Sequence, residues 1–182
     1  MFGITLPENF RRPFFSKSIA EYWRRWHITL CAWFKDYLFY PLSMSKWMNK
    51  VSRWLKKHVG KPVGSRFPVY FSSLTVWFVT GIWHGASWNF VLWGVYYGLF
   101  LLLEKFVLQK YLKKIPSWLC TVYTMLVVMI GWVFFSQTDF GALGHYLGTM
   151  FGIGASGFID KTALYYLKTG FILSLIHISE PT

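Results

Sequence analysis

Two apolar stretches, 67–108 and 117–135, set the terms for this chain. The first is long enough for two membrane spans at roughly 20 residues each, and the second for one. Gly85-Ala86-Ser87 supplies the break between the first two. In hydrocarbon a spanning segment must satisfy its own backbone, so the expected fold class is all-α, a polytopic integral membrane protein. Composition agrees: 54% of residues are apolar, 22% are aromatic and only 14% are charged, against about 25% charged in a typical soluble domain. Eleven Trp and eighteen Phe exceed what one soluble core of this size would bury.

The net charge of +12 calls for an anionic partner. The cations do not form an independent arm, as a nucleic-acid binder would carry them, and no nucleic-acid partner is expected. They lie between apolar stretches instead. Lys46, Lys50, Arg53, Lys56, Lys57, Lys61 and Arg66 occupy 45–66 without an acid among them, and Lys105, Lys110, Lys113 and Lys114 follow the first long apolar stretch. Basic loops beside spans belong on the cytoplasmic side, against anionic lipid headgroups. With both basic stretches cytoplasmic, 67–108 makes an in-and-out hairpin.

Upstream, 18–40 reads as an amphipathic helix. Ser18 and Glu21 have capping-box spacing, and Pro41 supplies the stop. Ile19, Trp23, Trp26, Leu30, Trp33 and Tyr37 recur at steps of four and three and form one narrow stripe. Glu21, Arg24, Arg25, Lys35 and Asp36 fall opposite. His27 sits about 80° from the stripe's centre, on its flank beside Cys31 and Phe34. Trp47, Val51, Trp54 and Leu55 suggest a second surface helix that Gly60, Pro62 and Gly64 end. Beyond the third span a Gly-rich stretch runs to Gly157, and another apolar helix begins near Lys161. Cys31 and Cys120 stand far apart with no C-x-x-C or Cys/His cluster, so neither a disulfide framework nor a zinc site is indicated.

The start, "MFGITLPENFRRPFF", lacks the basic segment and apolar core of a secretory signal, and Met1 is expected to be an internal methionine. The last ten residues, "LSLIHISEPT" at 173–182, break off a helix. They read in frame as the translation of a transposon-end adapter used in sequencing libraries. The expectation is about 172 authentic residues (1–172), with 173–182 an artefact in which His177 has no function.

Of the remaining histidines, His58 sits in the solvated basic stretch and His145 among glycines without a partner. His27 and His84 differ. Ionisable residues inside a membrane are costly and face a cavity or reaction path. An imidazole kept from water stays neutral and can accept a proton, as a general base must.

The segments "SIAEYWRRWHITLCAWFKDYLFYPL" at 18–42 and "GIWHGASWNFVLWGVYYGLFLLLEK" at 81–105 resemble the membrane-bound O-acyltransferase family. The resemblance is closest to its bacterial alginate and peptidoglycan O-acetylation branch. "LPENFRRPF" at 6–14 and "GWVFFSQTDFGALGHYLGTMFG" at 131–152 are similar too. It covers essentially 1–172 and corresponds to the C-terminal half of the family's many-helix fold. It implies transfer of an acyl group, acetyl in this branch, to a hydroxyl of peptidoglycan or an extracellular polysaccharide, at a multi-pass protein of the bacterial inner membrane. His84 matches the family's catalytic histidine and His27 its second histidine. Trp83, Trp88 and Asn89 are expected as pocket walls or supports. Arg24 and Arg25 are expected at the headgroups or at an anionic donor or substrate.

The co-substrate implied is an acyl thioester, acetyl-CoA or an acyl carrier, with no bound cofactor and no metal. An extracytoplasmic SGNH-type acyltransferase is an expected partner. At 40–47 "YPLSMSKW" differs from the "PLGG" of many relatives, which leaves the acceptor open. D-alanyl transfer to teichoic acid is the alternative within the family. A non-catalytic membrane scaffold or transporter fragment is the alternative outside it.

Overall fold

The computed structural model describes residues 6–154, 161–162 and 164–170. The tail 173–182 lies outside them. Among the described residues the secondary structure is helical, apart from one isolated antiparallel bridge between Phe10 and Trp26. The chain divides into two compact units at Leu143 and Gly144.

The expected helix at 18–40 starts where its cap predicts but does not run through. Ser18 Oγ accepts from the Glu21 N–H at 3.0 Å, and α1 spans Ile19–Arg25. The Glu21 carboxylate reaches back to the Lys17 N–H at 2.9 Å, one residue beyond the reciprocal capping-box bond. Trp26 is then extended and His27 takes a left-handed conformation with φ 49°, before α2 at Ile28–Phe34. The upstream segment accounts for the break. Arg11 N–H donates to the Arg25 carbonyl at 2.9 Å and Ile28 N–H to the Asn9 carbonyl at 3.1 Å. The Asn9 side chain takes the Thr29 N–H at 3.1 Å. Tertiary partners thus replace the helical bonds lost at His27, which no local pattern reveals.

The apolar stripe ends with that break. Ile19 and Trp23 are buried, but past His27 it is Phe34 that is buried, while Trp33 and Tyr37 are exposed. Nor does Pro41 stop the helix. A wide π turn at Lys35–Phe39 leads into α3, Tyr40–Ser43, which carries Pro41 in its first turn. The wider turn makes room for the ring and its missing N–H.

The second surface helix, α4, spans Lys46–His58. It buries Met48 and Ser52 and leaves Trp47 and Trp54 exposed. Gly60, at φ 132°, is the only break after it. Pro62 and Gly64 belong to α5, Lys61–His84, rather than to a terminator. Pro62 is tolerated because first-turn N–H groups have no helical acceptor. Ser52 Oγ donates to the Gly64 carbonyl at 2.7 Å and joins the two helices.

Gly85-Ala86-Ser87 separates α5 from α6, Trp88–Leu103, as expected. A second π turn, Glu104–Leu108, and α7, Gln109–Leu112, continue α6. The third expected span is α8, Ser117–Ser136. Among the described residues two helices are long and apolar enough to cross a membrane: Trp88–Leu112, with mean hydropathy 1.6, and Ser117–Ser136, with 2.0. The α5 helix is as long but opens with Lys61 and Arg66.

The α5–α6 hairpin is close-packed at two glycines. A Cβ on Gly81 would strike the Phe90 carbonyl, and one on Gly94 the Trp77 carbonyl. Small residues let helix backbones touch where apolar surface gains nothing by leaving lipid. Tyr96 Oη donates to the Val127 carbonyl at 2.8 Å and fixes α8 alongside. The core that results gathers Ile19, Tyr22, Trp23, Trp77, Trp93, Tyr97, Val127 and Val128.

The Gly-rich stretch after α8 contains a further helix, α9, at Phe140–Met150. Asp139 begins it by accepting the Ala142 N–H at 2.7 Å. In the second unit a turn through Gly152 and Gly154, both at positive φ, follows α9. Residues 161–162 and 164–170 are helical, matching the helix expected near Lys161.

Candidate functional site

His84 is the last residue of α5, so its imidazole stands where the helix gives way to Gly85. It meets Trp93 of α6 edge-on at 4.9 Å between ring centres and Phe135 of α8 at 5.2 Å. Three helices, α5, α6 and α8, therefore hold one imidazole. Gly85 is tightly packed there: an added Cβ would lie 2.6 Å from the Phe90 ring.

His27 is placed by the break between α1 and α2. The Phe10 ring lies 4.9 Å from it and the Trp26 ring 5.6 Å. Partial burial holds its imidazole below the ordinary histidine value, because losing water disfavours the charged form. A continuous helix would have left this side chain on the flank of a stripe.

The two histidines come together at two cavities. One, of about 310 Å³, is lined by both imidazoles with Trp23, Trp77, Arg24 and Cys31 among its walls. The other, of about 230 Å³, is lined by both imidazoles with Tyr22, Trp93, Tyr97, Trp132 and Phe135. Neither lining contains a carboxylate. The arrangement therefore offers two imidazoles in a largely apolar chamber, without an acid to form an Asp–His pair. Such a chamber can take a proton from a weak nucleophile and place an N–H beside a developing negative charge. Among the described residues no group of three or more His, Cys, Asp or Glu is placed to hold a metal ion.

The other predicted site residues divide. Arg24 is exposed and lines the 310 Å³ cavity. Asn89 is buried, and its Nδ2 donates to the Phe135 carbonyl at 2.9 Å, tying α6 to a residue of the cavity wall. Trp83 packs edge-on against His84 at 4.8 Å but is exposed and lines neither cavity. Trp88 points outward and lines neither. Arg25 is paired with Glu21 and donates to the Arg12 carbonyl at 3.3 Å, holding the break rather than facing the chamber. His58 stacks on Trp54 at 4.7 Å at the exposed end of α4.

A third cavity, of about 610 Å³, adjoins the first and shares Ala20, Arg24, Phe39 and Ser73 with it. Lys17, Arg24, Lys105 and Lys113 line it. None of these four is in an ion pair among the described residues. Its one carboxylate, Glu104, is turned inward to backbone N–H groups of α1.

Sequence reasoning did not single out Trp77, Trp93, Tyr97, Trp132, Phe135 or Glu104. The aromatics carried no usable signal among so many others. Glu104 did: it is the sole carboxylate in 67–108, where a charge is expensive.

Residues 43–138 match the profile of MBOAT, the membrane-bound O-acyltransferase family. Over 85% of its length the chain is 32% identical to the probable alginate O-acetylase AlgI of Azotobacter vinelandii, covering 28% of that protein. Over its whole length it is 29% identical to the peptidoglycan O-acetyltransferase of Helicobacter pylori, covering 33% of it. Over 76% of its length it is 34% identical to the teichoic acid D-alanyltransferase of Bacillus subtilis, covering 34% of it. The chain thus spans about a third or less of the curated relatives it matches.

Proposed function

We propose, for a chain that belongs to the membrane-bound O-acyltransferase family, that the protein carrying it transfers an acetyl group from a thioester to a glycan hydroxyl at the bacterial inner membrane. The observation that supports this is the meeting of His27 and His84 at shared, largely apolar cavities. His84 takes the proton of the sugar hydroxyl as its oxygen attacks the thioester carbonyl. An N–H of His27 donates to the oxyanion of the tetrahedral intermediate. Collapse breaks the C–S bond, the thiolate takes the proton back from the His84 imidazolium, and an ester and a thiol remain.

The donor is an acyl thioester whose handle bears phosphate, either acetyl-CoA or an acyl carrier. The four unpaired cations of the 610 Å³ cavity suit such a handle, and its junction with the histidine cavity suits a thioester reaching inward. Acceptors of the kind named for the relatives, peptidoglycan or an exported polysaccharide, lie on the far side of the membrane. An extracytoplasmic SGNH-type protein is the partner expected to act with it on that side. Two helices long and apolar enough to cross a membrane in this part of the chain support a multi-pass parent protein. The relatives also favour D-alanyl transfer as the second reading.

The test deletes the parent gene and restores it in full length, with and without His84→Ala. Base-labile esters on purified wall and exopolysaccharide are then measured by mass spectrometry. Acetate that depends on His84 is the expected result. Alanine in its place supports the second reading, and neither ester leaves a scaffold or transporter piece.

A further inference from the structure

Glu104 is the most deeply placed carboxylate among the described residues, 4% exposed at the start of the π turn that extends α6. Its two oxygens are both used. Oε1 accepts from the Ile19 N–H at 2.7 Å and Oε2 from the Ala20 N–H at 3.0 Å. With Ser18 Oγ on the Glu21 N–H, this pairs the three free N–H groups that open α1.

α1 has seven residues, too few to hold a helix or a direction by its own bonds. Its heading is set from outside at both ends. At the far end the Arg11 N–H binds the Arg25 carbonyl. At the near end Glu104 binds Ile19 and Ala20. Between them α1 carries Trp23 and Arg24 to the cavity wall, and its end delivers the Trp26–His27 break. A neutral cap would satisfy the same N–H groups, as Ser18 does on this helix. Burying a carboxylate in an apolar stretch instead gives short, charge-assisted bonds that allow little play.

We propose that Glu104 is a positioning residue for acyl transfer: through α1 it sets His27 against His84. The proposal rests on the functional reading above. It differs from simple support of the fold, because its effect on turnover must pass through His27.

The experiment uses the full-length protein in membranes, with turnover measured at saturating donor and acceptor. Glu104→Gln keeps the size but removes the charge and turns one oxygen into a donor facing N–H groups. At a normal membrane level it should lower kcat about 10²-fold, the scale of a catalytic group misplaced by about 1 Å. Ala20→Pro is the second variant and removes one N–H from the other side, leaving the carboxylate intact. Proline already occupies this second helical position in α3 and α5. It should lower kcat about tenfold, the smaller effect of losing one of two bonds.

The deciding measurement places Glu104→Gln on a His27→Ala background. Action through His27 predicts no further loss in the double variant. A role confined to the fold predicts that the two losses multiply, and that result overturns the proposal. So does a parental kcat in either folded single variant while His27→Ala is slow. Parental activity in His27→Ala itself would instead overturn the reading of His27 as a participant.

Discussion

The His84 imidazole and the Trp93 indole meet edge to face, 4.9 Å apart and inclined at 82°, across the Gly85–Ser87 break. The contact ties the last residue of α5 to α6, and His84 lines both cavities.

Replacing His84 separates chemistry from packing. In the full-length protein His84→Ala should keep membrane insertion and lose glycan acylation by about 10²–10⁴-fold, the usual cost of losing a positioned base. His84→Gln preserves much of the size and still hydrogen-bonds, yet cannot shuttle the proton, so it should be as slow. Acylation at the parental rate in the Gln variant would show that only packing mattered.

His27→Ala should also slow transfer, by about 10–10³-fold, because a lost oxyanion donor leaves the base in place. Its partial burial predicts the pH dependence. Its neutral form persists below the ordinary histidine value of about 6.5, and protonating it leaves its N–H donors in place, so the acid limb of the rate should be the same in the parent and in His27→Ala. An acid limb that disappears in His27→Ala would make His27 the base instead.

Charge on the wide cavity should act on the donor rather than on the chemistry. Lys113→Glu and Lys105→Glu should each raise the donor KM about tenfold, the worth of one charge-assisted contact of about 1.5 kcal/mol. The kcat should stay near parental. A change in acceptor KM instead would assign this cavity to the glycan.

Gly94→Leu tests the hairpin. Its side chain would run into the Trp77 carbonyl, so the helices must part. We expect a loss of about 1–3 kcal/mol, typical of overpacking, seen as a lower melting temperature in detergent. An unchanged melt would mean that α5 and α6 do not touch there.

The basic stretches predict the topology. Cysteines placed at Lys56 and Lys113, with Cys31 and Cys120 changed to Ser, should both resist an impermeant thiol reagent in intact cells. Labelling at only one site would mean that the intervening chain crosses the membrane an odd number of times.

Sequence by itself determined what depends on local pattern. The apolar runs, the break at Gly85-Ala86-Ser87, the Ser18 cap and the candidacy of two histidines follow from hydropathy, small residues, hydrogen-bonding side chains and the cost of charge in hydrocarbon. Each signal is read from one contiguous stretch of chain. Tertiary structure decided what depends on partners remote in the chain. Asn9 and Arg11 break the helix at His27 by taking over its backbone bonds, so a stripe read at 100° per residue stopped being true at Trp33 and Tyr37. Glu104 reaches α1 from the far end of the hairpin, and only the packing of α1, α5, α6 and α8 sorts the few aromatics that wall the histidines from the many that face outward. Periodicity records which side of a helix is apolar; it carries no information about which distant backbone will supply that helix's missing hydrogen bonds.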